Sequence, residues 1–204
     1  MTDTRPTWVG LLLAAGAGRR LGRPKATLEL DGAPAVATQA RRLDAAGAVG
    51  VTVVLGAAAD DAAPTVEGLD GVSVVVAEDW DEGMGASLRA GLGALASTTD
   101  EVGAALLTLV DLPDVTPVVM ARVLDAWVSR GARRDDLVRA TYAGRPGHPV
   151  LLGRDHWAPL AASVAGDVGA RAYLHERKVH EVSCEDLATG RDIDRPHDLP
   201  GADA

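Results

Sequence analysis

Cysteine and basic residues are scarce in this sequence of 204 residues. Its single cysteine, Cys184, excludes an intramolecular disulfide and any metal or iron–sulfur site built from several cysteines. A chain of this kind suits a reducing compartment, and we predict a cytoplasmic location. With 20 Lys and Arg against 29 Asp and Glu, the formal net charge is -9, so we expect no binding to nucleic acid or to anionic membranes. An anionic ligand would therefore need a local site.

Long hydrophobic runs and aromatic side chains are also few. Residues 1–7 are polar, and the apolar run that follows, 8–15, ends at Gly16 well short of a membrane span, so neither a secretion signal nor an anchor is predicted. The chain has no Phe, 4 Trp and 2 Tyr, although 47% of its residues are hydrophobic. The core must therefore consist mainly of Val, Leu and Ala, whose small volumes suit close packing of helices on a sheet.

Short apolar segments alternate with helix-like segments through the first 130 residues. The apolar segments are nearly continuous, which is typical of parallel strands that are covered on both faces. The predicted strands are 9–13, 49–55, 72–77 and 104–110, and the predicted helices are 34–46, 84–96 and 118–129. This alternation predicts an α/β fold with a single-domain, Rossmann-like, doubly wound and mostly parallel sheet and helices on both faces. Ligands of such sheets bind at the carboxyl ends of the strands.

The pattern changes after residue 130. We predict paired strands at 137–142 and 148–152 with a turn at 143–147, a short helix at 170–177, a last strand at 179–183 and an acidic tail at 192–204. The pairing of these later strands is expected to be antiparallel or mixed. No repeat or linker divides the chain.

The most informative segment follows the first predicted strand and places glycines before cations. Residues 13–25 read LAAGAGRRLGRPK. Glycines let the backbone turn tightly, so that successive N–H groups can hold phosphate oxygens, and Arg19, Arg23 and Lys25 add positive charge. The dinucleotide fingerprint would need a third glycine where Leu21 stands, and the Walker pattern is also absent. A glycine-rich turn with solvated arginines is the alternative interpretation.

This segment resembles the motif LAAGxGxRxGxPK of the MobA-like NTP transferases. Five later segments are similar to blocks of the branch that attaches a nucleotide to molybdopterin: EDWDEGMGASLRAGL at 78–92, LVDLP at 109–113, GHPV at 147–150, GDVGAR at 166–171 and DIDRP at 192–196. The resemblance covers essentially the whole chain and points to the molybdenum cofactor cytidylyltransferases. It implies a nucleotide-diphospho-sugar transferase-like fold over a single domain, 1–204, in which residues 1–130 bind the nucleotide and residues 131–204 bind the acceptor.

Two aspartates are candidate ligands for Mg²⁺. Asp111 stands at the carboxyl end of a predicted strand and precedes Pro113, where a carboxylate is either a hard oxygen ligand or an ordinary turn residue. Strand alternation around Ile193 would put Asp192 and Asp194 on the same face and Ile193 in the core. The resemblance implies Asp194, ahead of Asp192, as the second ligand, and a solvated acidic tail is the alternative.

The resemblance implies transfer of CMP from CTP to molybdopterin with release of pyrophosphate. In this reaction an anionic phosphate attacks the α-phosphorus of the triphosphate, so cations and positioning supply most of the catalysis. The candidate catalytic residues are Arg19 and Lys25, which would contact the phosphates, and Asp111, which would hold Mg²⁺. No covalent intermediate is required.

Candidate substrate contacts fall into two groups. The nucleotide-binding candidates are Leu13, Ala14, Ala15, Gly16, Gly18, Lys25, Gly83, Gly85, Ser87 and Asp111. The turn at 83–87 begins a predicted helix and offers unpaired N–H groups. In the resembled family, alanine at position 15 goes with pyrimidine nucleotides and glycine with guanine, which implies CTP. Candidate acceptor contacts are His148, Asp167 and Arg171, each of which also has an ordinary structural explanation.

Several alternatives stay open. The first is that the chain uses GTP, and the second is that it transfers a nucleotide to another phosphorylated acceptor. The third is that it is a noncatalytic nucleotide-binding chaperone of a molybdenum enzyme. Relatives of similar sequence also include oxidoreductases that act on small dyes, although the missing third glycine and the lack of an acidic ribose contact count against a nicotinamide site. A molybdenum-enzyme client is a further candidate partner beside CTP and molybdopterin. The acidic surface predicts a monomer.

Overall fold

The chain builds one seven-stranded sheet with helices on both faces. The computed structural model describes residues 6–199; the first five residues of the polar opening segment and the last five of the acidic tail lie outside this range. The strands are β1 (Thr7–Leu13), β2 (Glu29–Leu30), β3 (Ala33–Pro34), β4 (Val51–Leu55), β5 (Val72–Val76), β6 (Val102–Leu109), β7 (Leu137–Tyr142), β8 (Arg145–Gly153) and β9 (His180–Ser183). The helices are α1 (Ala35–Ala45), α2 (Ala59–Ala62), α3 (Met84–Leu95), α4 (Pro117–Ser129), α5 (Trp157–Ser163) and α6 (Arg171–His175).

The strand order is β5-β4-β1-β6-β8-β7-β9. The strands β5, β4, β1 and β6 are parallel to one another. Strand β8 runs antiparallel to both β6 and β7, and β9 is parallel to β7. The short strands β2 and β3 form a separate ribbon. The predicted doubly wound, mostly parallel α/β sheet is therefore confirmed, as is the antiparallel pairing after residue 130.

Two apolar layers lie on opposite faces of the sheet. Helices α1 and α4 cover one face, where Leu43 and Trp127 are fully buried. Helices α3, α5 and α6 cover the other face, where Leu92 and Leu160 are buried. The side chains of β1 alternate between these two layers, which explains why the strand shows no polar alternation. Within residues 6–199, no helix combines the length and the apolar character that a membrane span requires.

The predicted turn of the last hairpin is too long. Ala143 and Gly144 have φ angles of 49° and 72°, and they alone connect the strands, because Tyr142 pairs directly with Arg145. A two-residue turn with two positive φ angles matches the right-handed twist of the strands that it joins. Strand β8 therefore begins at Arg145, three residues before the predicted start at His148. The helices predicted at 34–46, 84–96 and 118–129 are each confirmed to within one residue at either end.

Candidate active site

Strands β1 and β6 lie side by side at the middle of the sheet, and their connections leave in opposite directions. Their last residues, Leu13 and Leu109, are paired, so the loops that follow them start at the same edge. The amide of Val110 donates to the carbonyl oxygen of Leu13 at 3.1 Å. Because β4 lies on the far side of β1 from β6, this edge is the topological switch point, where α/β sheets bind their ligands.

The loop after β1 folds back on itself at Gly18. This glycine has a φ angle of 61°, and its carbonyl oxygen accepts hydrogen bonds from the amides of Leu21 and Gly22, each at 2.9 Å. A Cβ atom at Gly18 would overlap the carbonyl oxygen of Arg23. The position therefore requires glycine, and the fold of the loop brings Lys25 to the end of β6.

Lys25 joins the two predicted metal-binding aspartates. Its Nζ atom lies 2.7 Å from Oδ2 of Asp111 and 3.0 Å from Oδ1 of Asp194. The side chains of Lys25 and Asp111 are only 14% and 11% exposed. Arg20 donates to Oδ2 of Asp194 at 2.7 Å. We call these four side chains, in which two cations and two carboxylates alternate, the ionic cluster.

Ion pairing fixes the charge states of Asp194 and Lys25. Hydrogen bonds from Arg20 and from Lys25 hold the pKa of Asp194 below its ordinary value. Burial alone would lower the pKa of Lys25, but the charges and hydrogen bonds of Asp111 and Asp194 outweigh it, so this pKa is raised. Asp194 is therefore ionised and Lys25 protonated at neutral pH.

Asp111 has one carboxylate oxygen that fits a metal ion. Its Oδ1 atom is buried and accepts no hydrogen bond from residues 6–199. A buried acceptor without a donor is costly, and a hard cation held by Asp111 and Asp194 would satisfy it. In the described part of the chain, no three His, Cys, Asp or Glu side chains form a group that would hold a metal ion. Two carboxylates suit a cation that takes its other ligands from water and substrate phosphates, as Mg²⁺ does.

The acidic tail reaches the site through Ile193. Its side chain is buried in the same apolar layer as α1 and α4, and its amide donates to the carbonyl oxygen of Asp111 at 2.9 Å. Residues 191–194 pair with no strand, but Ile193 lies in the core, as predicted. Asp194 lines the cleft described next, whereas Asp192 is exposed and does not.

A cleft of about 390 Å³ opens in front of the ionic cluster. This volume lies within the range of small-molecule sites. The predicted nucleotide contacts on its walls are Leu13, Ala14, Ala15, Gly16, Gly18, Lys25, Gly83, Ser87 and Asp111. The switch point thus brings together residues from the first loop, from the start of α3 and from the end of β6.

Two predicted site residues have surroundings that the sequence did not indicate. Arg19 lines the cleft but is exposed and forms no ion pair within residues 6–199, whereas its neighbour Arg20, which was not predicted, holds Asp194. Gly85 is not on the cleft wall. A Cβ atom there would lie 2.8 Å from the carbonyl oxygen of Gly166, so this glycine allows α3 to pack against the loop before α6.

A second cavity of about 560 Å³ adjoins the cleft, and the two share Leu13, Met84, Leu109 and Asp167. All three predicted acceptor contacts line it, namely His148, Asp167 and Arg171. Its apolar walls include the buried side chains of Leu88, Leu107, Val150 and Leu174. Within the described range, Asp167 and Arg171 form no ion pair with each other. The structure therefore separates the predicted acceptor contacts from most of the predicted nucleotide contacts, with Asp167 on the wall between them.

His148 is a neutral hydrogen-bonding group of the second cavity. Its Nδ1 atom lies 3.4 Å from the carbonyl oxygen of Leu107, and the hydroxyl group of Tyr142 donates to the His148 carbonyl oxygen at 2.6 Å. Burial lowers the pKa of His148, and this effect outweighs the attraction of Asp111 for the charged form. At neutral pH the ring thus offers a hydrogen bond rather than a charge.

Arg139 also lines the second cavity but is not among the predicted site residues. It lies in the segment LVRATY, which forms β7, and it donates to Oε1 of Glu181 on β9 from Nε at 3.2 Å and from Nη2 at 2.5 Å. A single arginine within an apolar strand was the available signal, because a charged side chain is seldom placed there without a partner.

The sequence is similar to known proteins over nearly its whole length. Residues 10–182 match the MobA-like NTP transferase domain. Nicotine blue oxidoreductase of Paenarthrobacter nicotinovorans is 37% identical over 205 residues, which cover 95% of this chain and 96% of that protein.

Solved structures share the fold over nearly the full length. Rv0371c of Mycobacterium tuberculosis H37Rv is 28% identical with a TM-score of 0.76, covering 94% of this chain and 95% of that chain. Its complex with manganese is 27% identical with a TM-score of 0.70, covering 97% and 95%. Molybdopterin-guanine dinucleotide biosynthesis protein A from Archaeoglobus fulgidus, 17% identical with a TM-score of 0.62 and 93% of both chains covered, shows likeness of fold alone. The predicted nucleotide-diphospho-sugar transferase-like fold is confirmed, and because the domain match spans most of the sequence, the chain belongs to the MobA-like NTP transferase family and is a nucleotidyltransferase.

Proposed function

We propose that the chain transfers CMP from CTP to molybdopterin, with Mg²⁺ as its cofactor and pyrophosphate as the second product. The observation that carries this proposal is the ionic cluster at the switch point, where Lys25, Asp111 and Asp194 meet beside the glycine loop. A donor for phosphate oxygens and two hard oxygen ligands are thus available at one place, as phosphoryl-transfer chemistry requires.

Different groups of the cleft bind different parts of the triphosphate and its cation. Backbone N–H groups of the loop around Gly18 and the guanidinium group of Arg19 bind the phosphate oxygens. Lys25 donates to the α-phosphate, where negative charge develops during transfer. Asp111 and Asp194 hold the cation. When bound there, Mg²⁺ supplies positive charge that neutralises the phosphates and lowers their repulsion of the incoming nucleophile.

Ala15 supports CTP over GTP. It is buried on the cleft wall, and its carbonyl oxygen accepts a hydrogen bond from the amide of Ala57 at 3.1 Å, which fixes its position. A methyl group at this point leaves less room for a base than a glycine would. The smaller pyrimidine is therefore the better fit.

The second cavity supports a division of the domain into two parts. We assign the nucleotide to residues 1–130 and the acceptor to residues 131–204, because His148 and Arg171 line the second cavity while the glycine loop and Asp111 line the cleft. The GHPV and GDVGAR segments and the molybdopterin named in the A. fulgidus relative favour molybdopterin as the acceptor.

Pyrophosphate release tests the proposal. The protein is incubated with each nucleoside triphosphate and Mg²⁺, with and without molybdopterin, and we expect release with CTP only when molybdopterin is present. Lys25→Ala should lower turnover about a hundredfold or more, as loss of a donor to developing charge does. Lys178→Ala removes the other lysine of the chain, which is exposed, and should leave turnover unchanged. A clear preference for GTP would overturn the base assignment, and near-normal turnover of Lys25→Ala would refute the role of Lys25.

An oxidoreductase acting on a small dye is the second candidate, favoured by the 37% identity to nicotine blue oxidoreductase over 95% of the chain. In this case the aromatic body of the dye would lie against the apolar walls of the second cavity, and the ionic cluster would have no direct part in the transfer of electrons. The test follows the absorbance of nicotine blue in the presence of a reduced nicotinamide nucleotide and without CTP. Bleaching of the dye at equal rates by the wild type and Lys25→Ala, together with no pyrophosphate release, would select this candidate.

A further inference from the structure

Two arginines from different elements line the second cavity. Arg139 comes from β7 and Arg171 from the start of α6. The carboxylate on the cavity wall is that of Asp167, and His148 is neutral at ordinary pH. The two arginines balance the nearby carboxylates of Asp167 and Glu181, so the cavity is less negative than the chain as a whole, which has a formal net charge of -9. The arginines mark a place where an anion would be attracted.

Arg139 is a well-placed donor with spare hydrogen-bonding capacity. Its side chain is 19% exposed, so its apolar stem is fixed by packing and loses little freedom when it binds a ligand. Both of its hydrogen bonds go to the same oxygen of Glu181, which is half-exposed and directly opposite on the neighbouring strand. Its Nη1 atom has no hydrogen-bond partner within residues 6–199. A ligand in the cavity can therefore be bound without breaking any other contact of the guanidinium group.

The remaining walls indicate what the anionic ligand must look like. Leu88, Leu107, Val150 and Leu174 are buried side chains that present apolar surface to the cavity. A small, fully hydrated anion would leave this surface exposed to water, whereas an apolar or aromatic body would cover it. The cavity thus combines an apolar lining with a cationic side.

We infer that the second cavity binds an acceptor with an apolar body and an anionic group, and that Arg139 binds this anionic group. Arg139 is then paired with Glu181 alone while the cavity is empty. When the acceptor is bound, Arg139 binds both Glu181 and the anionic group of the acceptor. The inference rests on the proposed function for the name of the acceptor, but not for the anion site itself. Arg171, which forms no ion pair within the described residues, is the second cation of the site.

A pair of fluorescent probes tests the anion site without any catalytic assay. The anionic probe is 8-anilinonaphthalene-1-sulfonate, and its neutral counterpart is N-phenyl-1-naphthylamine. We expect Arg139→Gln to weaken the sulfonate about tenfold or more, the factor expected for one charge-assisted hydrogen bond, and to leave the naphthylamine unchanged. Arg139→Lys should restore part of the loss. Glu181→Gln should tighten the sulfonate, because it removes a competing negative charge.

The control is Arg122→Gln, which removes an arginine that also pairs with a carboxylate, Asp186, but lies outside the second cavity. It should bind both probes as the wild type does. Probe molecules in the apolar groove beside Trp8 and Val128 would respond equally in all variants and would not imitate the expected difference. Equal weakening of both probes by Arg139→Gln would show that Arg139 only holds the strands together and would overturn the inference. Unchanged sulfonate binding would overturn it as well.

Steady-state kinetics then connects the anion site to the acceptor. With molybdopterin and CTP, Arg139→Gln should raise the KM for molybdopterin about tenfold or more and leave the KM for CTP unchanged. If the wild type releases no pyrophosphate, the proposed function fails while the two probes still decide the anion site. If the wild type is active but neither the probes nor the KM for molybdopterin respond to Arg139→Gln, the inference fails and the proposed function stands.

Discussion

At the scale of single residues, Lys25 occupies the space between two carboxylates that a divalent cation would use. Its ammonium group contacts both Asp111 and Asp194, and removing it would leave two negative charges close together and partly buried. Lys25→Met should therefore bind Mn²⁺ about tenfold or more tightly than the wild type in the absence of nucleotide. Electron paramagnetic resonance of free Mn²⁺ measures the affinity directly, and the rise in Tm with added Mn²⁺ provides an independent measure.

The matched control for this prediction is the double variant Lys25→Met, Asp111→Asn. It removes one of the two carboxylates as well as the ammonium group, so the gain in Mn²⁺ affinity should disappear. Equal affinities of the wild type and Lys25→Met would show that the ammonium group and the metal do not compete.

The lowered pKa of His148 predicts that the folded protein loses stability in mildly acidic solution. Its pKa in the folded protein is below the ordinary value of 6.5, so the unfolded chain takes up the proton first as the pH falls. Its contribution to stability is complete above about pH 6.5 and is lost progressively below that value. The charged side chains that line the second cavity with His148 are Arg139, Asp167 and Arg171, and Asp111 also acts on the ring; these groups are the same in the variant and the wild type.

The measurement compares the free energy of unfolding of the wild type and His148→Gln by urea denaturation, above and below the ordinary pKa of histidine. The wild type should lose more stability than the variant as the pH falls. A difference between the two proteins that does not change with pH would contradict the prediction.

The sequence identified individual site residues better than it identified their partners. Lys25, Asp111 and Asp194 stand at recognisable positions in motifs or at strand ends, and the structure brings them together. Arg19 was the predicted phosphate contact, although the arginine of the motif LAAGxGxRxGxPK is Arg20, and it is Arg20 that binds Asp194. Arg139 was missed because the cavity that it lines is formed by segments that are distant in the sequence.

At the scale of elements, the loop after β1 offers a comparison of two glycines. Gly18 and Gly22 both have positive φ angles, of 61° and 83°, but a Cβ atom meets nothing within 4 Å at Gly22 and overlaps the Arg23 carbonyl oxygen at Gly18. Gly22→Ala should cost about 1–2 kcal/mol of stability, the cost of a left-handed conformation. Gly18→Ala should cost more and should also weaken CTP binding, because the loop must shift Lys25. Urea denaturation and calorimetric titration with CTP measure these effects, and equal results for both variants would count against the tight turn.

Element boundaries followed from the sequence wherever an apolar run or a helix-capping glycine defined them. Helix α1, for example, ends shortly before Gly47, which has a φ angle of 98°. The last hairpin was predicted with a longer turn because Ala143, unlike glycine or asparagine, gives no sign that it adopts a positive φ angle. The segment around Ile193 alternates as a strand would but pairs with none; it is held by the hydrogen bond of its amide to Asp111, the burial of the Ile193 side chain and the contacts of Asp194 with Arg20 and Lys25.

At the scale of the whole molecule, part of the α1/α4 layer lies away from the cleft and from the second cavity. Trp127 on the buried face of α4 is fully buried, and its indole N–H donates to the carbonyl oxygen of Arg133 at 3.0 Å; it lines neither the cleft nor the second cavity. Trp127→Ala should lower the free energy of unfolding by about 3–5 kcal/mol and leave the CTP affinity of the folded protein unchanged. The half-exposed neighbour Val128 is the control, and Val128→Ala should change stability by less than about 0.5 kcal/mol. A parallel loss of CTP affinity in Trp127→Ala would contradict this separation.

The overall architecture could be predicted because each central strand is a nearly continuous apolar segment, which is typical of a strand covered on both faces. The place of β8 between β6 and β7 could not be predicted, since it depends on contacts between segments that are distant in sequence. For the same reason the second cavity, which lies between α3, α6 and the antiparallel part of the sheet, could be anticipated only as an acceptor-binding part and not as a defined space.

The late position of Asp194 has a consequence for what turnover measures. Every strand is complete by Ser183, so the sheet does not include the segment that carries Asp194. If Asp194 holds the cation as proposed, activity also requires the burial of Ile193, which positions its neighbour. A protein cleaved by a protease between β9 and Ile193 would keep its fold but lose its activity. Turnover is therefore a stricter test of an intact chain than folding is.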